Sequence, residues 1–232
     1  MAEFENVIQA PFGSLEQEDH ALRGCWNSFF KNDNPLILEL GCGKGEYTVS
    51  LGARFSDSNF IGVDIKGARM WKGAKEALER KLTNVAFLRT NIELIDRFFA
   101  PEEVHQIWLT FPDPQMKNVR RRLTSTFFME RYRKILAPEA TIHLKTDSNF
   151  QYQYTLEMVK ENKLEILTDI QDLPAASDDS ILSVQTFYEK QWRERGIPIK
   201  YLVFRLNDKD LREPDVEIEK DTYRSFGRSA KE

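Results

Sequence analysis

Cysteine is almost missing. Cys25 and Cys42 are the only two in 232 residues, too few for a disulfide framework in a chain this long, and a reducing compartment is the expectation. Histidine is as sparse: His20, His105 and His143 stand far apart with no HExxH or CxxC spacing, which argues against a metal site. No apolar run exceeds a few residues, and the opening MAEFENVIQAPFG carries acids where a targeting peptide needs cations. Neither a membrane span nor a leader is expected, so the chain reads as soluble and cytoplasmic. An excess of positive charge is also missing, since 33 Lys and Arg against 37 Asp and Glu leave a net charge of -4.

What is present is the composition of one folded domain. At 41% hydrophobic and 27.1 kDa, the chain can bury about 70% of its extended surface. Residues 1–35 lack clean periodicity and end in the turn-former cluster KNDNP, so they read as an N-terminal extension. From Leu36 onward, short apolar runs alternate with helical periodicity. LILEL (36–40), NFIGVDI (59–65), VAFL (85–88), QIWLTF (106–111) and TIHLK (141–145) are plausible buried strands. Between them Tyr47/Leu51/Phe55, Trp71/Ala74/Leu78/Leu82 and Phe128/Tyr132/Ile135/Leu136 mark helices; Phe150/Tyr154/Met158 follow.

Strict alternation of this kind predicts a doubly wound α/β domain over residues 36–206, a parallel sheet with helices on both faces. LEILTDI (164–170) and YLVFRL (201–206) supply a sixth and seventh strand, and a turn-rich DLPAASDDS precedes a helix near 186–195. The tail, 207–232, holds eight acidic and six basic residues with few apolar ones, and is expected to be mobile or loosely docked. No helix shows an exposed apolar stripe separable from core, leaving a monomer or a homodimer.

Three glycines, Gly41, Gly43 and Gly45, follow the first of these strands and open the first helix, where ligands sit in such folds. The pattern is G-x-G-x-G followed by Glu46, where a dinucleotide fold wants G-x-G-x-x-G, so the third glycine is misplaced. Glu39 and Glu46 would repel a diphosphate, whereas S-adenosylmethionine brings an ammonium and a sulfonium that carboxylates complement. Asp64 ends the next strand about 20 residues on, placed to accept from ribose hydroxyls.

The strand QIWLTF runs into FPDPQMKNVRRRL, whose two prolines fix the backbone around Asp113. Residues 114–134 carry seven basic residues (Lys117, Arg120, Arg121, Arg122, Arg131, Arg133, Lys134) against one acid, Glu130. Basic charge beside a cofactor pocket in an acidic protein points to a polyanion, with Lys117 and Arg120 to Arg122 on phosphates. Asp147 reads as a cap for the helix beginning near Asn149, and TFYE (Thr186 to Glu189) as a capping box.

ELGCGKG, IGVDI, FPDPQMKNVRRRL, HLKTDSNF and TFYEKQWRERGIPIKY, in this order, closely resemble the bacterial tRNA (guanine-N7)-methyltransferase family over residues 36–206. The resemblance implies a class I, Rossmann-like methyltransferase with a seven-stranded sheet whose last strand is antiparallel. It implies cofactor contacts at Glu39, Asp64, Asn91 and Asp113, and substrate contacts at Lys117, Asp147 and Thr186 to Glu189. The expected product is 7-methylguanosine in the tRNA variable loop, with another RNA or a small molecule as the alternative substrate. The family more often has Glu at Asp64, Asp at Asn91 and Trp at Gln115, and it does not account for the tail. No proton need leave nitrogen 7 before methylation, so Asp113 is expected to act as a fixed carboxylate near the base.

Overall fold

The computed structural model describes residues 4–10, 13, 18–174 and 181–223. The strands are β1 (Val7–Gln9), β2 (Leu36–Leu40), β3 (Asn59–Asp64), β4 (Val85–Arg89), β5 (Val104–Thr110), β6 (Leu136–Thr146), β7 (Glu165–Ile170) and β8 (Lys200–Arg205). They form one sheet in the order β1-β4-β3-β2-β5-β6-β8-β7. Neighbours from β1 to β6 run parallel, while β8 lies antiparallel between β6 and β7. The order reverses between β2 and β5, and such a reversal opens a crevice at the carboxyl ends of the strands.

The helices are α1 (Trp26–Phe30), α2 (Glu46–Arg54), α3 (Gly67–Glu79), α4 (Thr126–Arg133), α5 (Asn149–Glu161) and α6 (Phe187–Glu194). All five residues of β2 are buried, as a parallel strand covered on both faces requires. Leu38 and Leu40 join Trp26, Phe99, Phe128 and Tyr132 on one face; Ile37 joins Tyr47, Met70, Phe87 and Trp108 on the other. Glu39 shares the second face by the two-residue period, and so points toward α2.

Among the described residues eight strands are present where seven were expected. The additional strand, β1, pairs in parallel with β4 at the sheet edge and comes from the segment read as an extension. That segment also supplies Trp26, whose indole stacks on Phe99 with centroids 5.1 Å apart and donates to the Phe98 carbonyl at 2.9 Å. The antiparallel last strand is as expected.

The described part of the tail, 207–223, departs from the expectation of loose docking. Glu213 accepts from the Thr126 N–H (2.9 Å), the Thr126 hydroxyl (2.6 Å) and the Tyr154 hydroxyl, clamping the starts of α4 and the middle of α5. Arg212 exchanges hydrogen bonds with Asn162 through N–H (2.7 Å) and C=O (2.8 Å). Residues 175–180 of the turn-rich stretch and 224–232 of the tail lie outside the described residues. Among the described residues no helix is long and apolar enough to cross a membrane.

Candidate active site

The loop from β2 to α2 bends by left-handed backbone at all three glycines, with φ of +78° at Gly41, +56° at Gly43 and +72° at Gly45. Its Gly41 and Cys42 N–H groups bond the Val63 carbonyl of β3 at 2.8 and 3.1 Å, folding the loop over that strand's end. Helix α3 closes on it from the side: a Cβ on Gly73 would stand 2.5 Å from the Lys44 carbonyl oxygen. A Cβ on Gly43, by contrast, meets nothing within 4 Å, so this part of the loop faces open space.

Acidic groups fix the loop from below. The buried Glu39 carboxylate accepts from the Thr48 N–H at 2.9 Å and from the Thr48 and Thr110 hydroxyls, joining β2, α2 and β5. Burial pushes its pKa up to about 7 despite those donors. Asp64 accepts from Gly43 N–H at 3.0 Å and, through its other oxygen, from Lys66 N–H at 2.8 Å. Asn91 is exposed and caps the 3-10 turn Ile92–Arg97 by accepting from Glu93 N–H at 3.3 Å.

The Pro-Asp-Pro loop leaves β5 through two left-handed non-glycine residues, Phe111 (φ +50°) and Gln115 (φ +47°). Such backbone costs about 1 kcal/mol or more each and needs outside support. Arg122 gives it. Only 4% exposed, Arg122 donates to the Pro114 carbonyl (2.9 Å) and the Gln115 carbonyl (3.0 Å), and its guanidinium lies 3.9 Å from the Tyr154 ring centroid. The expectation that it meets phosphate with its neighbours is corrected here: a guanidinium spent on two carbonyls and an aromatic face is turned inward. Lys117, Arg120 and Arg121 remain exposed. Asp113 is exposed as well; one oxygen accepts from Gln115 N–H at 3.1 Å, and the other has no partner among the described residues.

This basic segment meets the glycine loop directly, because a Cβ on Gly41 would lie 3.6 Å from Leu123 Cδ1. On the loop's other flank α6 abuts α2, with Phe187 N–H donating to Glu46 at 2.9 Å and the Lys44 ammonium 5.0 Å from the Phe187 ring. Thr186 caps α6 by accepting from Glu189 N–H at 3.2 Å. Glu189 does not return the bond. Its carboxylate is fully buried between Lys145 Nζ (2.8 Å) and Arg193 Nη2 (2.8 Å), and Lys145 also donates to the Leu182 and Val184 carbonyls.

Asp147 is 1% exposed at the end of β6, and the cap expected of it comes instead from Ser148, which accepts from Gln151 N–H. Gly41, Gly43, Gly45, Asp64 and the Asp113 loop therefore gather at the carboxyl ends of the central strands, with Thr186 on the flank at α6 and Asp147 two strands from β2. Lys145, Thr48 and Thr110 escaped the sequence analysis. A threonine is too common a helix and strand residue for its role under Glu39 to be visible before the fold is.

Comparison with known proteins decides the family. A family model described as "Putative methyltransferase" matches residues 33–202. A tRNA (guanine-N(7)-)-methyltransferase of Bacteroides fragilis is 57% identical over 99% of this chain and 92% of its own length. One of Porphyromonas gingivalis is 55% identical over 99% and 97%. The chain belongs to the tRNA (guanine-N7)-methyltransferase family. Among solved structures, the 16S rRNA methyltransferase KamB superposes with a TM-score of 0.61 at 12% identity, over 81% of this chain and 94% of that one. At that identity the likeness shows the class I methyltransferase fold alone. For a methyltransferase of this family, the notable local feature is the asymmetry of charge: carboxylates lie under the glycine loop, and the exposed cations Lys117, Arg120 and Arg121 stand on the segment that reaches it at Leu123.

Proposed function

We propose that the chain transfers the methyl group of S-adenosylmethionine to nitrogen 7 of a guanosine in the tRNA variable loop, position 46 in tRNA convention, giving 7-methylguanosine in the cytoplasm. The observation that carries this reading is the closeness of Leu123 to Gly41, whose Cβ, if it had one, would stand 3.6 Å from Leu123 Cδ1; it sets a cradle suited to a cationic donor beside a segment suited to a polyanion.

The residues present fit the donor. Open space lies over Gly43, and each Asp64 oxygen keeps a lone pair beyond its backbone bond, enough to accept from ribose hydroxyls. Glu39 and Glu46 place negative charge near the loop, where an ammonium and a sulfonium gain from it. When bound, the donor supplies an electrophilic methyl on sulfur; the chain's work is to orient. Nitrogen 7 presents its lone pair in the plane of the ring, so no side chain has to remove a proton; Cys42, in the loop itself, is buried, and desolvation holds its thiol protonated.

Asp113 is the residue assigned to the base. Its free oxygen accepts from the N1–H and N2 amino donors of guanine, at positions where adenine has none, and its charge favours a purine that turns cationic as the methyl arrives. Lys117, Arg120 and Arg121 hold phosphates; Arg122 holds the loop that holds Asp113. The test is incubation with tritiated S-adenosylmethionine and unmodified tRNA, followed by nuclease digestion. Label on guanine nitrogen 7 in the variable loop is the expected result; label elsewhere, or none, refutes it.

A further inference from the structure

Between Asn207 and Tyr223 a single residue is buried, Asp221, at 4% exposure. Its carboxylate accepts from the Ser148 hydroxyl and, at 3.0 Å, from the Phe150 N–H. Ser148 is the cap of α5 and accepts from Gln151 N–H at 3.0 Å. By taking the hydroxyl proton, Asp221 leaves the serine oxygen turned toward the helix, and it satisfies a second amide of the first turn itself. An acid 73 residues downstream of Ser148 therefore completes the cap immediately after Asp147.

Two residues later Tyr223 reaches Asp147 itself, its hydroxyl 2.8 Å from the carbonyl oxygen and 3.3 Å from Oδ2. The Tyr223 ring meets Trp192 edge-on at 5.6 Å, and Trp192 belongs to α6, the helix that Thr186 caps. Lys200, at the start of β8, sits in the field of both Asp221 and Asp147. One short stretch of tail thus touches both segments assigned to RNA, the Asp147 turn and α6, which lie far apart in the chain.

We propose that residues 207–223 form a strap, and that Asp221 and Tyr223 are positioning residues for the RNA side of the site, fixing Asp147 and tying α6 to it. The inference rests on the tRNA-methylating reading above. Among the described residues no hydrogen bond, ion pair or ring contact joins the strap to the glycine loop, so donor affinity is expected to be independent of it.

The experiment compares Asp221→Ala, Asp221→Asn and Tyr223→Phe in the full chain. Methyl transfer to unmodified tRNA is read as kcat/KM, and S-adenosylmethionine affinity by calorimetry. Loss of a buried charged acceptor should lower kcat/KM for tRNA about tenfold in Asp221→Ala, and loss of one hydroxyl about threefold in Tyr223→Phe. Donor Kd should stay within about twofold, and Asp221→Asn, which keeps an acceptor for Phe150 N–H, should recover most of the loss. Unchanged kcat/KM in Asp221→Ala and Tyr223→Phe overturns the proposal, as does a parallel loss of donor affinity, which would mean general loosening. Should Asp221→Ala fail to fold, Tyr223→Phe decides alone. If the parent methylates no tRNA, the functional reading falls and takes the strap's role with it; if the parent is active and the variants match it, the strap alone falls.

Discussion

Replacing Glu39 with Gln separates what the buried acid does for the fold from what it does for the site. Glutamine has the same shape, its oxygen can accept from Thr48, and its amide can donate to the Thr110 hydroxyl, so the hydrogen bonds survive. Only the charge goes. The folded-state value of about 7 lies above the ordinary 4.5 because burial disfavours the carboxylate. The folded protein therefore holds a proton there that the unfolded chain has released. The stability this contributes is present below pH 4.5 and is lost as pH rises through 7. The full loss corresponds to about 3 kcal/mol.

Urea unfolding of both proteins at pH 4.5, 6, 7 and 9 reads it out, and the difference between them cancels the titration of every other group. Near pH 4.5 the two midpoints should nearly coincide. At pH 9 the glutamine variant should unfold at a higher midpoint, by about 1 M urea for a slope typical of this size. If the same charge attracts the methyl donor, the stabilised variant should bind S-adenosylmethionine more weakly. A variant destabilised equally at every pH would refute the reasoning, since it would mean the ionised form is the one the Thr48 and Thr110 donors prefer.

Further outcomes follow from neighbouring geometry. Asp113→Ala should reduce methyl transfer by about 100-fold or more while leaving donor Kd nearly unchanged, as stopped-time assays and calorimetry would show; equal turnover removes Asp113 from the mechanism. Joint replacement of Lys117, Arg120 and Arg121 by Gln should flatten the salt dependence of tRNA binding by about 2 to 3 in log-log slope, whereas Arg122→Gln should leave the slope alone and lower turnover. Lys145→Met leaves Glu189 with Arg193 as its one ion-pair partner among the described residues and should cost about 3 to 5 kcal/mol in urea unfolding, part of it recovered by adding Glu189→Gln. His143, buried against Trp108 at 4.1 Å, has its pKa pushed down to about 3 by desolvation, so its imidazole should remain neutral by NMR at pH 5; the stability it contributes is present above 6.5 and is lost as pH falls through 3.

The strands legible in the sequence are those buried on both faces, since LILEL, VAFL and QIWLTF announce themselves by mostly apolar runs. β1 does not, because three residues at a sheet edge bury only Ile8 and leave no period to detect. Arg122 could not be told from Arg120 and Arg121: its burial is decided by Tyr154 and Phe150, thirty residues on, and by carbonyls whose direction depends on left-handed backbone at Gln115. Composition misjudged the tail for a related reason. Seventeen residues with little apolar surface are fastened by individual carboxylates, Glu213 and Asp221, and a count of charges cannot separate an acid that finds a cap or a tyrosine from one that meets water.

The short N-terminal strand bears on anyone preparing fragments of this protein. Cutting the chain to the segment the family model matches, 33–202, would discard β1 and strip the outer rung from β4, baring a row of unsatisfied amides that invites strand-to-strand association. It would also remove the indole that covers Phe99 and stop β8 midway, after Leu202. Such a fragment should precipitate or self-associate on expression even with every glycine of the loop in place.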